Sequence, residues 1–137
     1  MEFIPPNWLA VIVSAIAVFI MGFLWHGPLF GKLYMKLAGF TQKDKEKAMK
    51  KGMGKSYFLS LISTIITAAI LGIFINTTSS LGASAGALVG FYAWLGFIAA
   101  HTINNVLWRG DKWSLWIFGN VYQLISFLVM GVILGSW

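Results

Sequence analysis

Four long apolar runs constrain what this chain can fold into more than any other feature of the sequence. They cover about residues 8–30, 57–75, 83–108 and 113–137. A helix needs about 20 residues to cross the roughly 30 Å of hydrocarbon in a bilayer, and each run is close to that length or longer. The sequence therefore predicts an integral membrane protein that crosses the bilayer four times.

Composition and run length together decide the fold class. Hydrophobic residues make up 58% of the chain and charged residues only 10%, whereas a soluble domain carries about 25% charged residues. The runs are too long for the ~10-residue strands of a membrane barrel, and they lack the alternating polarity of such strands. Because backbone polar groups in lipid must bond within the protein, we expect helices. The predicted fold is all-α, a single integral membrane four-helix bundle with up-down topology over residues 1–137.

Cationic residues predict the orientation of the bundle. Eight lysines lie in the segment 31–56 between the first two runs, and Arg109 and Lys112 lie between the last two. Since cationic loops stay in the cytoplasm, we expect 31–56 to be a cytoplasmic loop and both termini to lie outside. The residues before the first run include no Lys or Arg, so we expect that run to be retained as a span.

The basic loop 31–56 has a local pattern of its own. Thr41 followed by Asp44 is typical of a capping box and predicts a short helix over Gln42–Lys51 that Gly52 would end. The functional interpretation of its lysines is contact with anionic lipid headgroups, at about 1 kcal/mol per nearby cation. The alternative is an anchor that only fixes topology, and nothing in the loop indicates nucleic-acid binding. The headgroup candidates are Lys43, Lys47, Lys50 and Lys51.

Glycines recur every four residues in the third and fourth runs. Small residues at this spacing let two helix backbones approach closely. In antiparallel spans both sets fall in the outer leaflet, so we expect a tight contact there, either within the chain or between copies. We also expect a homo-oligomer or a larger membrane complex. The packing candidates are Gly82, Gly86, Gly90, Gly131 and Gly135.

Polar side chains cluster in the inner half of the third and fourth runs. Residues 101, 104 and 105 share one face of the third predicted helix by their spacing, and residues 120 and 123 lie one turn apart on the fourth. At ~1.5 Å per residue, His101 and Asn120 both lie ~10 Å above the inner boundary, so we expect them to meet in a polar pocket. The pocket candidates are His101, Asn104, Asn105, Asn120, Gln123 and His26.

The polar cluster leaves several interpretations open. The amides can act only as interhelical hydrogen bonds, at ~0.6 kcal/mol each, or they can form a pocket that binds or passes a small solute or a proton. A third interpretation is haem or a metal held by His26 and His101. The predicted spans contain no Asp, Glu, Lys or Cys, so no nucleophile and base indicate an enzyme. Apart from the histidine option, we predict no catalytic residue, metal or cofactor.

One segment carries a resemblance to a known family. Trp25-His26-Gly27-Pro28-Leu29-Phe30-Gly31-Lys32, with Trp8-Leu9-Ala10 before it and Met130–Trp137 at the close, resembles the bacterial family catalogued as domain of unknown function 1761. The likeness covers nearly the whole chain. It implies a four-span protein of the bacterial cytoplasmic (inner) membrane and brings no known activity. Members of that family often carry Tyr at the position of His26, which weighs against a family-wide ligand role for this residue.

The function predicted from the sequence is therefore broad. The leading hypothesis is a small, oligomeric, multi-pass membrane protein with an inner-leaflet pocket for a small solute or proton. The first alternative is a non-catalytic accessory or structural subunit of a larger membrane complex, and the second is a haem- or metal-binding redox protein. The expected partners are the lipid bilayer and its anionic headgroups.

Overall fold

The computed structural model describes residues 2–137 and consists of helices joined by short connections. Four of the helices are long and apolar enough to cross a membrane, and two short ones lie between the first and second of these. The predicted all-α membrane bundle is confirmed. In chain order the helices are α1 Trp8–Leu29, α2 Gly31–Ala38, α3 Gln42–Lys51, α4 Gly54–Thr77, α5 Ala83–Leu107 and α6 Trp113–Ser136.

Local sequence signals set the ends of α1. The side chain of Asn7 accepts hydrogen bonds from the backbone N–H groups of Leu9 (3.0 Å) and Ala10 (3.2 Å), and so caps the helix start. At the other end the last five residues, Trp25–Leu29, form a π-helical turn around Pro28. Proline has no N–H to donate, so the regular hydrogen-bond ladder cannot continue through it. The helix ends one residue later, as the sequence predicts.

The basic loop is more helical than the sequence indicates. The predicted helix over Gln42–Lys51 is present as α3, with both reciprocal hydrogen bonds of a capping box at its start and Gly52 at its end. The segment Gly31–Ala38 also forms a helix, α2, which the sequence analysis does not predict. Gly39 ends α2 with a left-handed backbone (φ 75°), a conformation that glycine adopts without steric cost. The polar residues flanking the second run likewise continue its helix, so α4 extends beyond the predicted 57–75 at both ends.

The N-terminal segment is tied to the far end of α4. The backbone N–H of Ile4 donates to Thr77 Oγ1 (2.9 Å), and Asn76 Nδ2 donates to the carbonyl oxygen of Pro5 (2.8 Å). Pro6 packs against Gly72, where an added Cβ would lie 2.8 Å from the proline ring. The N-terminus, the end of α4 and the start of α5 therefore share one end of the bundle, opposite the lysine-rich loop.

The predicted glycine positions lie where α5 and α6 touch. A Cβ added at Gly86 would overlap the backbone of Gly131, and one added at Gly90 would overlap the backbone of Phe127. The N–H of Gly82 donates to the carbonyl oxygen of Gly135 across the two helices (2.6 Å). The structure thus places these glycines in a contact within the chain, at the end of the bundle opposite the lysine-rich loop.

Helix α6 lies in the middle of the bundle and packs against α1, α4 and α5. Its Met130 side chain is almost fully buried together with Val11 of α1 and Ile75 of α4. Close packing of this kind supplies the stability of a membrane bundle, because lipid is as apolar as the side chains. Helix α5 packs mainly on α6 and only partly on α4, so it forms an edge of the bundle.

Candidate functional site

A π-helical segment in α5, Trp94–Ala99, decides which polar side chains face α6. Gly90, one turn before the segment, packs on α6. Trp94, the first residue of the segment, donates its indole N–H to the carbonyl oxygen of Asn120 (3.1 Å). A π turn contains more residues than an α turn. Residues after the segment therefore point in a different direction around the helix axis than regular α-helical spacing predicts. After the segment the residue that faces α6 is therefore Thr102, where uninterrupted helical spacing predicts His101.

Thr102 is the centre of a hydrogen-bond network between α5 and α6. Its Oγ1 accepts from Trp116 Nε1 (3.1 Å) and from Asn120 Nδ2 (3.3 Å), and it donates to the carbonyl oxygen of Ile98 (2.7 Å). Asn120 Nδ2 also donates to the carbonyl oxygen of Trp116 (3.0 Å). The sequence analysis does not single out Thr102, and only knowledge of the π segment would have pointed to it.

The orientation of the Asn120 amide follows from its neighbours. The Trp116 carbonyl can only accept, and the Thr102 hydroxyl hydrogen is already directed to Ile98. The Trp116 carbonyl oxygen and the Thr102 hydroxyl oxygen therefore both need a donor, so the amide nitrogen of Asn120 points towards them. The other end of the amide, Oδ1, is buried and has no hydrogen-bond partner within residues 2–137. The Asn120 side chain is only 7% exposed, so this oxygen is a buried and unused acceptor.

A cavity of about 260 Å³ lies beside this network, between α5, α6 and the turn that joins them. Asp111, in this turn, lines the edge of the cavity. Its Oδ2 lies 2.8 Å from Arg109 Nη2, so the charge of the carboxylate is paired. Counted at ~1.5 Å per residue from the start of α6, Asn120 lies ~10 Å and Gln123 ~15 Å along the helix, so the lining reaches about the middle of the hydrocarbon. The lining residues are Ile98, Thr102, Asn105, Asp111, Leu115, Trp116, Gly119, Asn120 and Gln123.

The predicted pocket residues separate into two groups. Asn105, Asn120 and Gln123 line the cavity. His101 and Asn104 are exposed on another side of α5, and the Asn104 amide donates to the His101 carbonyl (2.9 Å). The structure therefore does not bring His101 to Asn120, because the π segment turns the histidine away from α6.

His26 belongs to an aromatic cluster at the lysine-rich end of α1. Its ring lies 5.0 Å from the ring of Tyr34, 5.1 Å from that of Tyr122 and 6.1 Å from that of Phe118, measured between centroids. Its Nδ1 lies 3.1 Å from the carbonyl oxygen of Gly22, and since a carbonyl only accepts, this nitrogen carries the hydrogen. His26 is thus held against α6, whereas His101 is exposed on α5, and the two imidazoles do not share a site.

Two further predicted contacts, with a metal and with lipid headgroups, concern residues outside the cavity. No group of three or more His, Cys, Asp or Glu side chains that could hold a metal occurs in residues 2–137. The headgroup candidates Lys43, Lys47, Lys50 and Lys51 are all exposed on α3. Their i, i+4, i+7 and i+8 spacing places them on one face of that helix, and their contact with lipid stays a prediction.

Comparison with known proteins places the chain in a family. The family model described as "Protein of unknown function (DUF1761)" matches residues 9–135. The chain therefore belongs to this family, in agreement with the resemblance of its Trp25–Lys32 segment. No curated protein and no solved structure matches it. The family and the four apolar helices identify a membrane protein, and the family brings no activity with it.

Proposed function

We propose that the cavity between α5 and α6 takes up a small, neutral solute that carries hydrogen-bond donors from the lysine-rich side of the membrane, and that it forms the first half of the route by which this solute crosses the bilayer. The observation that carries the proposal is Asn120, which lines the cavity and whose Oδ1 atom is buried without a hydrogen-bond partner in residues 2–137. Leaving such an acceptor unpaired costs about 1–3 kcal/mol. A donor group from a solute would recover that free energy.

The remaining lining supports a polar but uncharged occupant. Asn105 and Gln123 add amides to the Asn120 oxygen, and their side chains can both donate and accept. The only charged side chain at the cavity, Asp111, is already neutralised by Arg109. Polar side chains at membrane depth usually face protein or water, so the amides mark a site that a hydrated or polar molecule occupies.

The same lining favours a solute over a proton. Proton relays through membranes use chains of titratable side chains such as Asp, Glu and His. Asp111 is the only such group that lines this cavity, and it lies at the turn rather than along the helices. His101, the nearest histidine in the sequence, is exposed elsewhere on α5. A relay through the cavity would have no protein group to carry the proton deeper.

The test uses proteoliposomes and a substitution that fills the cavity. Gly119 lines the cavity, and a Cβ added there meets nothing within 4 Å, so Gly119→Leu obstructs the space without a backbone clash. Gly96→Leu is the matched control, because Gly96 has equally open surroundings and does not line the cavity. The probes are glycerol and urea, and their entry is followed by stopped-flow light scattering.

We expect wild-type vesicles to admit glycerol or urea faster than protein-free vesicles. Gly119→Leu should remove most of that difference, and Gly96→Leu should leave it unchanged. Gln123→Leu should also reduce it, because Gln123 lines the cavity at about the middle of the bilayer. Equal entry into wild-type and protein-free vesicles, or equal entry through the two glycine variants, would contradict the proposal.

A further inference from the structure

A second cavity separates α4 from α5 and differs in character from the first. It measures about 250 Å³ and is almost entirely apolar. It exists because α4 packs more closely on the first half of α5, Ala83–Ala93, than on the rest of that helix. Its lining includes Ile66, Ile70 and Phe74 of α4 together with Phe97 of α5.

The helix faces that line this cavity become polar towards the lysine-rich end. On α4, Thr67 lines the cavity, and Ser63 and Ser60 follow it on the same face at spacings of four and seven residues. On α5, His101 and Asn104 come after Phe97 towards the same end of the bundle. We call the space between these faces the α4–α5 cleft. Ser60, Ser63, His101 and Asn104 are all exposed, so the cleft is open along this polar part.

Exposure of this kind has a different meaning in a membrane than in water. Ser60 lies six residues from the start of α4 and His101 six residues from the end of α5, which puts each ~9 Å inside its helix end. Polar groups at such a depth are costly against hydrocarbon and usually face protein or water. The polar part of the cleft therefore requires an occupant that can form hydrogen bonds.

We propose that the α4–α5 cleft binds one anionic phospholipid from the leaflet on the lysine-rich side. A phospholipid is polar towards the membrane surface and apolar towards the midplane, which is the order of side chains along the cleft. Its ester and headgroup atoms would bond to Ser60, His101 and Asn104, and an acyl chain would fill the cavity beside Phe97.

The charge near the mouth of the cleft specifies the headgroup. Lys55 lies in the first turn of α4, and Lys112 lies in the turn that follows α5, where Arg109 is already paired with Asp111. The chain as a whole carries a formal net charge of +6. Each lysine or arginine near the membrane surface contributes about 1 kcal/mol of attraction to anionic lipid. An anionic headgroup such as phosphatidylglycerol is therefore favoured over a zwitterionic one.

The experiment measures lipid bound to the purified full-length chain. Delipidated protein is titrated with phosphatidylglycerol or phosphatidylcholine, and bound lipid is counted by native mass spectrometry. Ser63→Phe fills the cleft, and Ile62→Phe is the matched control, because Ile62 is exposed at nearly the same depth, lies about 100° around α4 from Ser63, and does not line the cavity. A photoreactive acyl chain on phosphatidylglycerol maps the site on the unaltered protein, which guards against misfolding of the variant.

We expect one phosphatidylglycerol to bind, with cross-links near Phe97 and Ile70. Ser63→Phe should weaken this binding about tenfold, or ~1.4 kcal/mol, and Ile62→Phe should not change it. Equal effects of the two variants, equal binding of the two lipids, or cross-links confined to other helices would overturn the proposal. The chain has no cysteine, so Ser63→Cys gives a further check. Efficient disulfide cross-linking between copies through that cysteine would assign the cleft to a second copy and likewise overturn the proposal.

Discussion

The contact between α5 and α6 makes a sharp prediction for the substitution Gly131→Ala. The added Cβ would lie 2.8 Å from the carbonyl carbon of Gly86 and 3.1 Å from Cα of Ala87, and it would overlap the Gly86 oxygen. All of these are backbone atoms, so no side chain can rotate to make room. Ordinary van der Waals contact begins at 3.4 Å, so the two helices must separate by at least 3.4 minus 2.8, about 0.6 Å.

The free-energy cost of that separation follows from how dispersion falls with distance. A gap of ~0.5–1 Å removes a quarter to a half of the attraction between atoms in contact. Overpacked sites typically lose about 1–3 kcal/mol, which corresponds to roughly 5- to 150-fold in the unfolding equilibrium constant. We expect a loss of this size for Gly131→Ala, because the atoms that the added Cβ meets belong to the backbone of α5.

The assay is steric trapping in detergent micelles, which gives the free energy of unfolding of a membrane protein. Gly119→Ala on the same helix is the control, since its Cβ would meet nothing within 4 Å. Its unfolding free energy should equal the original value or exceed it by up to about 1 kcal/mol, because Ala is the better helix former. If Gly131→Ala were no more destabilising than Gly119→Ala, the close backbone contact between α5 and α6 would be refuted.

Three further predictions test other parts of the structure. Thr102→Val removes the acceptor of two buried donors on α6, so it should cost about 1–3 kcal/mol in the same assay; an unchanged stability would contradict the network. Hydrogen bonds from Thr41, first from its backbone N–H and then from its side chain, lower the pKa of Asp44 below its ordinary value of 3.8. The carboxylate therefore stabilises α3 fully above pH 3.8, and this stabilisation is lost as the pH falls through the lowered pKa. An NMR titration of the Asp44 carboxyl and of the α3 backbone amides measures both effects. A carboxyl pKa that is not lowered, or α3 amide signals that do not change with the Asp44 titration, would refute the capping box. For the orientation, Lys47→Cys should react with a membrane-impermeant maleimide only from the cytoplasmic side and Ser80→Cys only from outside, and the reverse pattern would show the opposite insertion.

Most of the fold could be predicted because its signals are local or depend on composition. Run length predicts the four spans, and Thr41 with Asp44 predicts α3. The short helix α2 has no comparable signal, because neither a side-chain cap at its start nor a long apolar run marks it. The attachment of Ile4 to Thr77 joins residues 73 positions apart, and no pattern in the sequence records such a distant contact.

The candidate site could be predicted only in part, and the reason is one change in helix type. Asn105, Asn120 and Gln123 line one cavity, and this placement needs only their approximate depth and the hairpin, which the sequence predicts. The prediction fails for His101 because it extends regular α-helical spacing through Trp94–Ala99, where the structure is π-helical. A shift by one residue turns a helix by about 100°, which is enough to exchange His101 for Thr102 at the contact with α6.

The cavity and the glycine contact are two consequences of side-chain size along the same hairpin. At the end near the termini, glycines at 86 and 131 let the backbones of α5 and α6 touch. Towards the lysine-rich end, larger side chains lie at the interface, and the indoles of Trp94 and Trp116 donate hydrogen bonds to the opposite helix. The glycines therefore account for the backbone contact near the termini, and the larger side chains account for the cavity beside Thr102 and Asn120.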